Sequence, residues 1–448
     1  LNRAGVGGTN VGGAASGRDG GAGAGTQAGG TSGTGVSGGS GALGGAGRGE
    51  NNSSGRTGSG GFGEGTSGQA GTAAANGGRS ANGSGGASGR GGASGISGRA
   101  GGRSNGSSGA GGSAGQGAAG LAGQGGTAGA SGAGGVTGPC DLYASGSTPC
   151  VAAHSTVRAL LGAYAGKLYQ VKRASDGMTQ DIGVTSTGGF ADAAAQDSFC
   201  SGTTCTITIV YDQSGKANHL TVAPAGGNGS ADVAANATAL KLTVGGHTAY
   251  AIYVAGGVGY RNNKTSGIAT GSGAEGEYMV ASGTHANDGC CFDYGNAETN
   301  SKDNGNGHME AIYLGKLCWF TPCNGSGPWV MADLENGLFA GANGSNNKNT
   351  SVAYDYVTAM LKGDSSHYAL KGGDGTSGAL KTMYSGGLPT TSGYNPMHKE
   401  GAIILGIGGD NSKVATGTFF EGAMTSGYPS DATEDAVQAN IVAAGYGH

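Results

Sequence analysis

Gly327-Pro328-Trp329-Val330-Met331-Ala332-Asp333-Leu334-Glu335-Asn336-Gly337 is an apolar run that opens on Pro and Trp, carries two carboxylates two residues apart, and closes on a Gly turn. Side chains of a β-strand alternate between its faces. Val330, Ala332 and Leu334 therefore share one face, and Met331, Asp333 and Glu335 the other. At a rise of about 3.3–3.4 Å per residue the two acids project together, roughly 7 Å apart. Paired acids on a strand are ordinarily a solvated edge. Beside an aromatic residue they are also how proteins meet sugars, which makes Asp333 and Glu335 the first candidates for a site.

Outward from this run, similar segments recur between Gly, Asn and Ser turns. Thr206-Ile207-Thr208-Ile209-Val210-Tyr211 reads as a strand, entered through a turn bracketed by Cys200 and Cys205. Further strands are predicted over 249–254, 277–282, 308–314, 330–335, 352–360, 368–371, 402–407 and 418–424. One helix is predicted from the spacing of Val157, Leu160, Leu161, Tyr164 and Leu168 after the capping candidates Ser155 and Thr156. Another is predicted with Asp431 as its cap, Glu434 three residues on and Val437, Ile441 and Val442 following. Many strands joined by turns, with helices only near the ends, predict an all-β fold of two packed sheets, a β-sandwich.

Composition divides the chain in two. Residues 1–138 hold 56 of the 105 glycines, no Cys, Pro, Lys, His, Tyr or Trp, and one aromatic, Phe62. With almost nothing bulky to bury, this segment cannot offset the entropy of folding and reads as a disordered Gly/Ser/Ala-rich tail or linker. Glycine recurs every third residue over 83–101, 106–115 and 117–138, the period of a polyproline II helix. The absent Pro and the slips of phase argue against collagen. Residues 139–448 carry all eight Cys, both Trp and all 17 Tyr, enough for one large domain.

Charge divides the same way. Eight Arg against three acids give the tail +5, leaving −9 on the remainder of a chain whose net charge is −4. An acidic folded part argues against nucleic acid as a partner. Eight closely spaced Cys point to disulfides and an oxidising compartment, hence to secretion. Cys140 and Cys150 enclose a short loop suited to a local disulfide. No run of about 18 apolar residues offers a membrane span. The start at Leu1 rather than Met is compatible with removal of a leader or lipid anchor.

A second acid of interest is Asp410, which follows the apolar run Ala402-Ile403-Ile404-Leu405 and the glycines Gly406, Gly408 and Gly409. Small residues leave room beside it for a ligand; the plain alternative is a turn-forming Asp before Asn411. Cys290-Cys291 is the rarer signal. Adjacent Cα atoms lie closer than the usual disulfide range, so each cysteine could pair elsewhere, with Cys318 and Cys323 for instance, or the two with each other. Glu310, on one strand face with His308, Ile312 and Leu314, is a reserve acid, as is Glu421 between Phe419 and Ala423. Asp293, Glu298 and Asp303 fall in a Gly/Asn-rich stretch where solvation is expected. The eight His show no metal-ligand spacing, and no metal or cofactor is assigned.

Tyr211-Asp212-Gln213-Ser214-Gly215-Lys216-Ala217-Asn218-His219-Leu220, Cys290-Cys291-Phe292-Asp293-Tyr294-Gly295-Asn296-Ala297-Glu298-Thr299, His308-Met309-Glu310-Ala311-Ile312-Tyr313-Leu314-Gly315 and the run from Glu400 to Ser412 occur in order. Together they resemble the catalytic domain of the α-L-arabinofuranosidases of glycoside hydrolase family 54, from about Gly138 to the C-terminus. The resemblance implies a concanavalin/lectin-like sandwich. It implies Glu335 as nucleophile, Asp410 as acid/base, and Asp333 as a holder of sugar hydroxyls. It also implies a vicinal Cys290–Cys291 disulfide as an apolar platform under the arabinose. Asn336, Gly409 and an aromatic at Trp319 or Phe320 complete the implied substrate contacts.

The implied reaction is exo-acting, retaining removal of arabinofuranosyl residues from arabinan- or arabinoxylan-type polysaccharide. The partner is then an arabinose-containing poly- or oligosaccharide, and the tail a possible tether to the cell surface. A lectin-like binding domain without catalysis is the alternative, against which both acids are retained. Two departures stand out. The chain stops where fungal members continue into an arabinose-binding module, and the Cys318/Cys323 pair is an addition to the family pattern.

Overall fold

The structure is a computed structural model that describes residues 136–390 and 394–448. The expected tail therefore lies outside the described residues except for its last three. Of these, Thr137 offers its carbonyl to Asn440 Nδ2 (2.7 Å) and Gly138 N donates to Asp141 Oδ2 (2.8 Å), so both already touch the fold.

Among the described residues most of the strands fall in two antiparallel sheets. A seven-stranded sheet runs in the order Cys150–Ser155, Gly417–Ser426, Glu275–Ala281, Val357–Gly363, His367–Asp374 and Lys381–Gly387, with Ile252–Val254 also paired to Gly417–Ser426. A ten-stranded sheet runs Leu338–Phe339, Trp329–Asp333, Glu310–Gly315, Asp293–Ala297, Ala402–Leu405, Tyr260–Asn262, Leu220–Val222, Cys205–Val210, Lys167–Arg173 and Thr179–Gly183. This is the all-β two-sheet sandwich that the turn-punctuated pattern predicts.

The strand quoted above shows how the layers form. Val330, Ala332 and Leu334 are fully buried in the core shared with Met279, Ala281, Val357, Ala359 and Leu361 of the opposing sheet. Burying a side chain of the Val or Leu class contributes about 1.5–3 kcal/mol. Trp329 and Met331 point the other way, packing with Cys291, Tyr313 and Leu338 on the outer face of the ten-stranded sheet. That outer face carries the site. The outer face of the seven-stranded sheet, with Tyr278, Val280, Met360, Phe420 and Ala423, is instead closed by the helices Pro139–Ser145 and Asp431–Ala443.

Several expectations are corrected. No helix follows Ser155: the Ser155 hydroxyl accepts from the amides of Val157 and Arg158 (both 3.1 Å), but the turn stops there. Distant side chains take the next amides, Gln213 Oε1 at Leu160 (2.7 Å) and Asp141 Oδ2 at Gly162 (2.6 Å), and Leu168 enters the strand Lys167–Arg173. The apolar spacing there reflects burial in irregular chain, not helical period. The strand predicted over 249–254 breaks at Ala251 into His247–Tyr250 and Ile252–Val254, which join different sheets. The C-terminal helix is capped by Ser430, which accepts from Thr433 N (3.1 Å). Asp431 and Glu434 instead hold Lys362 and Lys371 at 2.7–2.8 Å.

Glu421 does not share a face with Phe419. A bulge after Phe419, where Ala281 pairs with Phe419 and Val280 with Glu421, leaves Phe419 in the core and turns Glu421 to the helix side. There it is fully buried against Arg158 (2.6 Å) and Tyr446 (2.8 Å). Glu310 does lie on the face of Ile312 and Leu314, but that face is the interior, where Lys399 binds it at 2.6 Å and Glu275 at 3.1 Å. Neither reserve acid reaches the outer face.

Candidate active site

The chain leaving Leu405 closes a tight turn, with Asn411 N donating to the carbonyl of Gly408 (3.0 Å) and Gly408 N to that of Ser412 (2.9 Å). This turn brings Gly409 and Asp410 into one pocket of about 260 Å³ with Asp333, Glu335, Cys290, Cys291 and Trp319. Asn336 and Phe320 do not line it. Asn336 Nδ2 donates to the carbonyl of Gly305 (2.7 Å), and Phe320 packs on Phe339 at 4.8 Å between ring centroids. Of the two aromatics at this rim, Trp319 faces the opening and is 53% exposed.

Two acids expected to be solvated belong here as well. Glu298 and Asp303 line the pocket, and Glu298 is fully buried. Asp293, also fully buried, lies behind Asp333. Little in the local pattern marks them: Asp293–Ala297 is buried on both faces and shows no alternation, and Asp303 sits in a polar loop.

Asp333 ends its strand with Oδ1 accepting from the amide of Glu335 (3.0 Å). Burial pushes its carboxyl up to about 7, against the Glu335 amide and the facing carboxyl of Asp293. Asp293 is raised well above the usual range by burial and by the neighbouring Asp333. Burial likewise pushes Glu298 up to about 8. Asp303 is raised by burial and by Glu335.

Glu335 departs from this pattern. It lies beyond the strand end at φ +75°, which turns its side chain toward the loop 303–308. Oε1 accepts from the amides of Asn304 (2.8 Å) and Gly305 (2.9 Å), and Oε2 from those of Asn306 (2.9 Å) and His308 (2.7 Å). Burial acts to raise its pKa, yet the amides of His308, Asn304 and Gly305 together with the His308 imidazole hold it below the usual range. Glu335 is thus pushed toward the ionised form, whereas Asp333, Glu298 and Asp303 are pushed toward the neutral one. Asp410 is anchored through Oδ1, which accepts from the amide of Ser412 (2.8 Å) and from its hydroxyl.

The eight cysteines form Cys140–Cys150, Cys200–Cys205, Cys290–Cys291 and Cys318–Cys323. Of the open pairings, the vicinal one is adopted, and its peptide bond is cis. Cys291 Sγ lies 3.4 Å from Asp333 Oδ2. Both sulfurs are bonded to each other, so the grouping of Cys290, Cys291 and Asp333, although its donor atoms lie within 4.8 Å, has no thiolate to hold a metal. It presents an apolar sulfur surface beside a carboxyl.

Residues 139–447 match the family described as α-L-arabinofuranosidase B, catalytic. The chain belongs to this arabinofuranosidase family. It is 61% identical over 315 residues to a probable α-L-arabinofuranosidase B of Aspergillus fumigatus, covering 69% of this chain and 62% of that protein. It is 61% identical over 315 residues to an α-L-arabinofuranosidase of Hypocrea jecorina, covering 69% and 63%. Among solved structures it resembles a GH54 α-L-arabinofuranosidase soaked with a cyclic sulfate inhibitor, at TM-score 0.68 and 57% identity over 69% of this chain and 66% of that one. An arabinofuranosidase complexed with arabinofuranosyl-α-1,2-xylobiose matches equally well. The chain spans less than two thirds of the length of these curated arabinofuranosidases.

Proposed function

We propose that this chain is an exo-acting, retaining α-L-arabinofuranosidase that removes terminal arabinofuranosyl residues from arabinan- or arabinoxylan-type chains. Glu335 is the nucleophile and Asp410 the acid/base. The observation that carries this reading is one pocket that unites Asp410 with a carboxylate held ionised by four amides, over a vicinal disulfide. Its small volume suits one pentofuranosyl ring, which supports exo action. The arabinofuranosyl-xylobiose bound by a relative supports the substrate class.

Glu335 attacks the anomeric carbon while Asp410 gives its proton to the departing glycosidic oxygen. The resulting glycosyl ester is then opened by water, which loses a proton to Asp410. Asp333 meets ring hydroxyls, and the Cys290–Cys291 sulfurs lie under the C–H face of the sugar. Each Glu335 oxygen has two amide donors at rest, so the attacking oxygen gives up at least one of them to bond carbon.

The local disulfides support secretion into an oxidising compartment. The family match from 139 supports reading 139–448 as the catalytic domain, with 1–138 as its linker or surface tether. A lectin-like role without catalysis is opposed by both acids lining one pocket. The deciding assay is release of 4-nitrophenol from 4-nitrophenyl α-L-arabinofuranoside by the purified, folded chain. Binding of arabinofuranosides without turnover would replace the enzyme reading by the lectin-like one.

A further inference from the structure

The turn that carries Asp410 is held from beneath by one arginine. Arg261, on the strand Tyr260–Asn262, is 2% exposed and heads the fully buried side chains by size. Among the described residues the single carboxylate within 4.0 Å is Glu298, whose Oε2 lies at that limit, so no close ion pair explains the placement. The guanidinium ends instead on the walls of the pocket. Nη1 donates to the carbonyl of Gly409 (2.5 Å) and to Asn411 Oδ1 (3.2 Å), Nη2 to the carbonyl of Glu298, and Nε to Asn263 Oδ1 (2.5 Å).

Gly409 and Asn411 are the two neighbours of Asp410 in the chain. The arginine therefore grips the turn on both sides of the acid and ties it to the segment of Glu298, which lines the same pocket. Gly409 leaves no slack: a Cβ there would come to 2.0 Å from Glu298 Oε2. The lining of the pocket contains five carboxyl residues and no Lys, Arg or His, and Arg261 lies directly behind it. Burial lowers its pKa to about 10, against the attraction of Glu298 and Asp410, which leaves it a cation. A buried cation is costly unless its donors are filled, and only a planar fork fills these several acceptors at once.

We propose that Arg261 is a positioning residue for proton transfer: it fixes the Gly409–Asn411 turn so that the Asp410 carboxyl meets the glycosidic oxygen, without touching the sugar. This rests on Asp410 being the acid/base. An aryl leaving group needs little protonation and a sugar leaving group needs much, so a misplaced acid shows as a loss that depends on the leaving group.

The test compares kcat/KM of the full chain and of Arg261→Lys on 4-nitrophenyl α-L-arabinofuranoside and on arabinofuranosyl-α-1,2-xylobiose, with Asp410→Ala as reference. General acid catalysis contributes about 10²–10⁴-fold. Arg261→Lys is expected to lose about tenfold more on the xylobiose derivative than on the aryl substrate, skewed in the same sense as Asp410→Ala. Equal losses on both, with the skew present in Asp410→Ala, overturn the proposal and leave Arg261 a structural support. If Arg261→Lys shows no cooperative thermal transition, Asn411→Gly decides, because it removes one acceptor of the fork and tolerates the φ of +65° at that position. It should reproduce the skew, and its absence overturns the proposal. Absence of the skew in Asp410→Ala itself overturns the acid/base assignment instead.

Discussion

Glu335 occupies a left-handed conformation that non-glycine residues seldom take, and four amides of one loop converge on its carboxylate. If it is the nucleophile, Glu335→Ala abolishes turnover, and azide, entering the vacated face, yields a β-glycosyl azide. With Asp410→Ala, azide attacks the glycosyl-enzyme instead and gives the α-product. Product configurations read by NMR check both, and the reverse pattern would exchange the roles. Glu298 offers a separate test. Its folded pKa of about 8 lies above an unfolded value of about 4.3, so between those values the native state holds a proton that the unfolded state has lost. Stability through this group is therefore present below about pH 4 and lost as pH rises toward 8. Glu298→Gln removes the titration. Its melting temperature relative to wild type should rise between pH 4 and pH 8, and a constant difference would mean that Glu298 ionises normally in the fold.

At the scale of elements, the strand Trp329–Asp333 and the segment after it join core to site. Leu334, fully buried one residue past the strand, separates the two pocket acids in sequence while filling the core behind them. Leu334→Ala should cost about 2–5 kcal/mol in denaturant unfolding, the range for emptying a buried Leu site, and a cost below about 1 kcal/mol would mean the core collapses freely around it. The loop 303–308 is the other element under test. Because its amides fill both oxygens of Glu335, a covalent adduct on that carboxylate should free some of them if Glu335 is the nucleophile. Hydrogen exchange at Asn304, Gly305, Asn306 and His308 is expected to quicken in the adduct, and unchanged protection would show that the Glu335 carboxylate keeps its cradle there.

For the whole molecule, the packing of two sheets leaves one outer face for helices and the other for the pocket. Among the described residues the pocket is lined from Cys290 to Ser412. Deleting residues 1–135, which spares the contacts of Thr137 and Gly138, should keep kcat/KM on 4-nitrophenyl α-L-arabinofuranoside within a few-fold. A hundredfold loss, about 2.7 kcal/mol of transition-state stabilisation, would place part of the N-terminal segment at the site.

Alternation alone determined that Val330, Ala332 and Leu334 share one face and Met331 and Asp333 the other, because successive side chains of a strand point to opposite faces; packing then chose which face is inward. Turn residues between short apolar runs determined the fold class, and local spacing made the Cys140–Cys150 disulfide readable. Long motifs, through resemblance, pointed to Glu335, Asp410 and the joined Cys290 and Cys291. Tertiary structure decided what no local pattern carries. Distant side chains took the amides that would have made a helix after Ser155, and a bulge after Phe419 turned Glu421 to the helix side. Lys399 made Glu310 an interior ion pair. Glu298 and Asp303 acquired their place only when the turn after Leu405 closed over the sheet. Charge state and burial belong to the assembled environment, so a carboxylate in sequence becomes a cradled anion, a neutral acid or a buried ion pair only once its neighbours are in place.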